Sequence, residues 1–162
     1  MEEKTNVMRI LDQKKVPYQP HTFTSEGAKS GLEIAAIFGL NPARVFKTLV
    51  TVGKSGTHYC FVIPAENELD LKKAASAVKE KSIEMIKSKE LLPLTGYIHG
   101  GCSPIGMKKF FRTVFHQTAP QFDTIIFSAG KIGFHVEMSF ADLQKVIRVE
   151  TADLTVEEQA DA

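Results

Sequence analysis

The 162-residue chain has two cysteines, no long apolar run and almost no net charge. Each shortage excludes something. Cys60 and Cys102 cannot build a disulfide framework, and in a reducing cytosol they are expected as thiols. A membrane-spanning helix needs about 20 consecutive apolar residues, and none is present. A formal charge of +1 argues against a protein that coats nucleic acid by bulk charge, although it leaves room for a local basic patch. The opening Met1-Glu2-Glu3-Lys4 leads into polar residues without a secretory apolar core, so a cytoplasmic protein is expected. No repeat, low-complexity segment or strong linker is evident. The Gly-x-x-x-x-Gly-Lys-[Ser/Thr] spacing of a phosphate-binding loop is missing, so nothing supports a nucleoside triphosphatase.

What remains is ordinary for a globular chain: 43% hydrophobic and 24% charged residues, in a length that suits one domain with a real core. The expected domain covers 1–154, with an acidic, disordered tail over 155–162. Thr5 can cap a first helix with Val7, Ile10 and Leu11 inward, ended by Pro17. Tyr18 to Phe23 reads as extended. Ser30-Gly31-Leu32-Glu33 has capping-box spacing before a helix with Leu32, Ala35 and Ala36 on its apolar face and Gly39 as its stop. Asn41-Pro42 starts one more turn. Strands are expected at 45–52, 58–63, 82–86, 112–116, 124–128, 134–138 and 147–149. Asp70 caps a helix with Leu71, Ala74, Ala75 and Val78 inward. Ser88 to Leu92 is a short helix, and Ser139 caps another through Leu143 and Val146. Many short strands with a few helices predict an α+β fold, a mixed sheet or small barrel with helices outside.

Lys47 is the odd residue. It sits in Val45-Phe46-Lys47-Thr48-Leu49-Val50-Thr51-Val52, where side chains alternate between two largely apolar faces. A buried ammonium is costly unless it is paired or meets an anionic ligand. An edge-strand gatekeeper with a snorkelling stem is the competing reading.

The loop His99-Gly100-Gly101-Cys102-Ser103-Pro104-Ile105-Gly106 is the second feature. Consecutive glycines let backbone N–H groups approach a ligand or an oxyanion, or simply make a tight turn. Cys102 with His99 is a minority reading as a nucleophile and base. His58-x-Cys60 and His99-x-x-Cys102 carry zinc donors at spacings that match no standard site. Ser128 stands at a strand end where a hydroxyl can meet a ligand or satisfy a turn. His135 and Glu137 share one strand face, as a solvated or mutually bonded pair. Lys108, Lys109, Arg112 and Lys131 offer a local basic patch, or a solvated surface.

Four stretches together carry a resemblance. They are Gly39 to Leu49, Glu68 to Lys73, Thr95 to Gly106 and Phe127 to Lys131. From about residue 5 to about residue 150 the chain resembles the YbaK/EbsC family of aminoacyl-tRNA deacylases, relatives of the editing domain inserted in bacterial prolyl-tRNA synthetases. The resemblance implies a mixed six- to seven-stranded β-barrel-like sheet surrounded by helices, with an aminoacyl pocket. It implies that Lys47 holds the tRNA 3′ end, that the Gly100 to Pro104 loop lines the pocket and that Ser128 belongs to the same site. On that basis the catalytic set is Lys47, Gly100, Gly101 and Ser128, and the substrate-binding set is Phe23, Lys47, Cys102, Ser103, Pro104 and Lys131.

The implied reaction clears cysteine misattached to tRNA(Pro), and also Cys-tRNA(Cys), the cysteine thiol attacking its own ester carbonyl. No cofactor or metal is implied. The implied partners are the tRNA(Pro) acceptor end and prolyl-tRNA synthetase, with no membrane and no DNA. Two departures concern amino-acid choice: Cys102 stands where relatives carry an aliphatic residue, and Phe23 stands near a family tyrosine. An alanine-directed hydrolase of the same fold, a non-catalytic binding module and an unrelated Cys102 hydrolase are the competing hypotheses.

Overall fold

The computed structural model describes residues 4–22, 35–36, 39 and 41–157. The predicted capping box at Ser30 to Glu33 and the candidate Phe23 lie outside them. Helix α1 (Asn6–Gln13) begins where the Thr5 hydroxyl accepts the N–H of Met8. It buries Val7, Met8 and Leu11. Ile10, expected inward, is only half-buried, and Met8 takes its place. Strand β1 (Gln19–Thr22) follows. Asn41 caps a 3-10 turn, Pro42–Arg44, which delivers the chain into β2 (Phe46–Gly53). β2 turns back into β3 (His58–Pro64) as an antiparallel hairpin, pairing Lys47 with Ile63.

Helix α2 (Leu71–Val78) is capped by Asp70, whose carboxylate accepts from the N–H groups of Lys72 and Lys73 at 3.0 and 3.1 Å. Lys79, with φ of 60°, ends it. Leu71, expected inward, is 41% exposed because it occupies the first helical position, outside the buried stripe. β4 (Ile83–Met85) is short. Helix α3 (Ser88–Thr95) runs past the predicted end at Leu92 and through Pro93, and Gly96 (φ 83°) supplies the left-handed stop. β5 (Arg112–His116), β6 (Ile125–Lys131) and β7 (Phe134–Met138) match the expected runs, β6 reaching three residues beyond Ser128.

Helix α4 (Phe140–Leu143) is shorter than expected. The chain tightens there into bonds from Lys145 to Asp142 and from Val146 to Leu143. β8 (Val149–Ala152) lies C-terminal to its predicted span, because parallel pairing with β5 decides its register. Past residue 154 the chain stays attached: Thr155 bridges Leu69, and the Val156 N–H donates to the Glu68 carbonyl.

The eight strands fall into two sheets, β4-β2-β3-β5-β8 and β1-β7-β6. The expected single sheet of six or seven strands is corrected accordingly, and no closed barrel forms among the described residues. β3 is buried on both faces. Tyr59, Phe61 and Ile63 pack with Ala74, Ala75 and Val78 of α2. Cys60 and Val62 join Phe46, Phe115, Phe127, Val136 and the α1 residues. The five-stranded sheet is thus the middle layer, between α2 on one side and the three-stranded sheet with α1 on the other. The sheets pack together through Cys60, Val62, Phe127 and Val136, and a parallel bridge joins Val45 to Ile126. No described helix is long and apolar enough to cross a membrane.

Candidate active site

β4 pairs with β2 only at Thr51 to Gly53, and β6 bridges it only at Val45. Between these anchors, Lys47 to Leu49 has no strand partner on that edge among the described residues. A cleft of about 780 Å³ opens there. Its walls are Val45 and Phe46 to Val50 of β2, Ala65, Met85 to Ser88, Leu91 of α3, His99, Gly100 and Cys102 of the glycine loop, and Ser128 and His135 of the facing sheet.

Lys47 is half-buried and makes no hydrogen bond or ion pair among the described residues. Burial holds its pKa below the usual lysine value, and the Glu68 carboxylate offsets this in part. It is therefore a desolvated cation facing an open cleft, not one paired within the fold. Lys47 is among the residues that line the cleft, its strand partner Ile63 packs against α2, and its charge lies near Glu68.

Thr48 was not foreseen. Its hydroxyl is buried with no hydrogen-bond partner among the described residues, and the residue lines the cleft. The Val50 carbonyl accepts from Ile86 on this edge, so by strand alternation the N–H and C=O of Thr48 face the opening too. The only sequence signal was the alternation itself.

Ser128 sits at the irregularity where the β6–β7 register shifts. Its oxygen accepts the Gly130 N–H at 3.2 Å, which leaves the hydroxyl proton available to the cleft. His135 is its register partner on β7. Burial, with His21 nearby, lowers the His135 pKa to about 4, so the imidazole is neutral at ordinary pH. His135 and Glu137 share one strand face, where His135 is buried rather than solvated; Glu137 accepts from His21 and Arg44, each at 2.7 Å, and from Thr124.

The glycine loop divides. Gly100 (φ 86°) lines the cleft. The Gly101 N–H is spent on the Ile98 carbonyl at 3.0 Å. A Cβ on Gly101 would meet the Ile132 nitrogen at 3.2 Å, so this glycine lets the loop lie against the β6–β7 turn. Ser103 is fully buried, its oxygen accepting from the Ile105 N–H, and Pro104 is buried as well. Lys131 is exposed beyond the cleft, its ammonium 5.1 Å from the Phe134 ring centre. Cys102 reaches the cleft but is only 7% exposed. Burial pushes its thiol up to about 12, and Thr95 offsets this only in part. That leaves almost no thiolate at neutral pH. Among the described residues no three His, Cys, Asp or Glu side chains gather at metal-binding range.

The family model described as the aminoacyl-tRNA editing domain matches residues 25–146. The chain belongs to this family. It is 44% identical over 158 residues, covering 97% of this chain and 96% of the relative, to an Enterococcus faecalis protein provisionally named Cys-tRNA(Pro)/Cys-tRNA(Cys) deacylase EbsC. It is 31% identical over 81 residues, half of this chain and 14% of the relative, to the proline–tRNA ligase of Pelobacter propionicus. Among solved structures it is similar to the hypothetical protein APE2540, with a TM-score of 0.85, 19% identity, and 94% of this chain and 100% of that one covered. A second, provisionally described as a trans-editing enzyme for prolyl-tRNA synthetase, gives 0.81 and 21%, covering 96% and 100%. These two show the fold.

Within this editing domain, Lys47, Gly100, Cys102 and Ser128 meet at one cleft, while Gly101, Ser103, Pro104 and Lys131 do not line it. The wall from Met85 to Leu91 was missed, because nothing local in Met85-Ile86-Lys87-Ser88 distinguishes a cavity wall from a turn.

Proposed function

We propose that this editing domain is a trans-acting deacylase of misacylated tRNA, with Cys-tRNA(Pro) as its main substrate and Cys-tRNA(Cys) as a second. The observation that carries the reading is a half-buried Lys47, without an ion pair among the described residues, at a cleft whose one thiol, Cys102, stays protonated. Such a site suits an anionic, hydroxyl-rich terminus and supplies no thiolate of its own. The 44% identical relative, named for this substrate pair, supports the choice.

The chemistry needs little from the protein. The substrate cysteine attacks its own ester carbonyl: the C–S bond forms, the C–O bond to the terminal ribose breaks, and the thiol proton ends on the ribose oxygen. The products are free tRNA and cysteine thiolactone. Holding thiol and carbonyl in register is worth roughly 7–11 kcal/mol in well-oriented intramolecular reactions. One donor to the developing oxyanion adds about 2.7–4 kcal/mol. That donor comes from Ser128 or from Gly100 or Cys102 backbone, since Gly101 has committed its N–H. Lys47 anchors the terminus by charge. Cytoplasmic action and tRNA selection by prolyl-tRNA synthetase complete the proposal.

The test compares Cys-, Ser- and Ala-tRNA(Pro) with wild-type protein, identifying products by mass spectrometry. Cysteinyl substrate is expected to react, giving thiolactone or its hydrolysis product, and seryl substrate far more slowly. Comparable rates on all three would replace this mechanism with attack by water. Turnover of none would leave a binding module.

A further inference from the structure

We propose that the face formed by Met85 to Phe111 binds the sugar-phosphate backbone of the tRNA acceptor arm; the inference rests on the deacylase reading. This stretch holds four lysines, Lys87, Lys89, Lys108 and Lys109, against one glutamate and no aspartate, a surplus of three in a chain whose total is +1. All four lysines are exposed. None forms an ion pair among the described residues, whereas Lys4, Arg44, Lys73, Arg112 and Lys145 all do. The lone glutamate, Glu90, turns its carboxylate to the Lys87 N–H at the start of α3, at 3.1 Å.

The fold strings these charges along α3, which walls the cleft at Leu91. Lys87 lines the cleft, and Lys89 follows two residues later in the first turn of α3. The Lys108 N–H donates to the Thr95 carbonyl at 2.9 Å, which pins the second lysine pair to the far end of α3. His99 and Gly100 on the intervening loop line the cleft again. Interleaved with the charges are exposed apolar side chains, Leu92 at 53%, Ile98 at 51% and Phe110 at 75%. Lysines with an exposed aromatic suit an RNA strand, the cations meeting phosphates and the ring a base. The face differs from the patch expected from sequence. Arg112 is held by both oxygens of Glu150 at 2.7 and 2.8 Å, and Lys131 sits over Phe134. Lys87 and Lys89 take their place. A terminus bound at Lys47 has its duplex outside the cleft, and this face is where that duplex meets cations.

The test is fluorescence anisotropy with a labelled RNA hairpin that carries no amino acid and ends in single-stranded ACCA, titrated at several salt concentrations. Lys89→Glu/Lys108→Glu/Lys109→Glu is compared with the control Lys14→Glu/Lys72→Glu/Lys81→Glu, which has the same net charge. The first triple is expected to lose about tenfold or more in affinity, and its salt slope to fall by about two to three. The control should stay within about threefold. If the first triple folds poorly, Lys108→Gln/Lys109→Gln is expected to lower the slope by about one to two. Equal loss in both triples, loss in neither, or retained RNA binding with lost association to prolyl-tRNA synthetase overturns the assignment. Deacylation is followed in parallel. RNA binding that depends on these lysines without any turnover would sink the deacylase reading alone, and full turnover with undiminished RNA affinity in the first triple would sink this face alone.

Discussion

Arg44 and Glu137 join the two sheets: the Arg44 guanidinium lies 2.7 Å from a Glu137 carboxylate oxygen, at the turn that feeds β2 and on the middle strand of the smaller sheet. The same arginine donates to the Thr124 carbonyl at 3.0 Å. With the Val45–Ile126 bridge, this clamp sets where Lys47 stands relative to Ser128. Glu137→Ala leaves a partly buried guanidinium short of its acceptor and is expected to cost about 2 kcal/mol. That corresponds to roughly 4–8 °C in Tm, readable by thermal denaturation. Activity should fall with it, since both cleft walls hang on the clamp.

Lys47→Met is expected to lower kcat/KM on Cys-tRNA(Pro) by about 100-fold or more, in line with losing one charged transition-state contact. Stability should stay within about 1 kcal/mol of wild type or improve, because the lysine is desolvated without a partner in the fold. A destabilised but active variant would make Lys47 structural.

Cys102→Ala is expected to change turnover less than about threefold, since a thiol held at about 12 is not a nucleophile. By the same argument iodoacetamide at pH 7.5 should label native protein far more slowly than urea-unfolded protein. Rapid stoichiometric labelling of native Cys102, with loss of activity, would restore the thiol as a candidate catalyst.

His135 makes the fold acid-sensitive. Unfolded, its imidazole takes a proton as pH falls through about 6.5; folded, it waits until about 4. Between those values the unfolded chain binds more protons. The stability is therefore whole above pH 6.5 and drains away as pH drops towards 4, about 3 kcal/mol in all. His116, buried with its ring accepting from the Leu154 N–H and its pKa likewise lowered, adds in the same direction. Denaturant midpoints at pH 7, 5.5 and 4.5 should show the slope, and His135→Gln should flatten part of it.

Gly130→Ala should be worse than Gly101→Ala. At Gly130, φ is 94° and an added Cβ would sit 2.8 Å from the Tyr97 ring, beside the N–H that engages Ser128. At Gly101 the nearest atom is backbone at 3.2 Å, and φ is not left-handed. Expected losses are about 2–3 kcal/mol and about 1–2 kcal/mol, with Gly130→Ala also slowing deacylation. Chemical denaturation with parallel kinetics checks both.

The sequence displayed its local physics well. The Asp70 cap, the β2–β3 hairpin and the lysine strand follow from residues within a turn of each other. The α+β class followed too. What stayed hidden depends on distant partners. β8 took its register from β5 against its own β-branched run, and the two-sheet division depends on where β4 stops pairing. At the site, Lys47, Gly100, Cys102 and Ser128 were legible as odd residues. That Ile98 claims the Gly101 N–H was not legible in the loop's sequence, and Thr48 was passed over because a threonine in a strand advertises nothing until its edge is seen to be open.

The clamp of Glu137 with His21 and Arg44 also has a consequence for biosynthesis. His21 and Glu137 lie 116 residues apart in the chain, and Arg44 and Thr124 lie 80 apart. Contacts of such separation form slowly, since a long loop must close before they reward it. The ribosome has to release β7 before β1 finds its neighbour or the cleft its far wall. Nascent chains stopped before residue 125 should hold the β2–β3 hairpin and α2, yet lack Ser128 and His135, the far wall of the cleft.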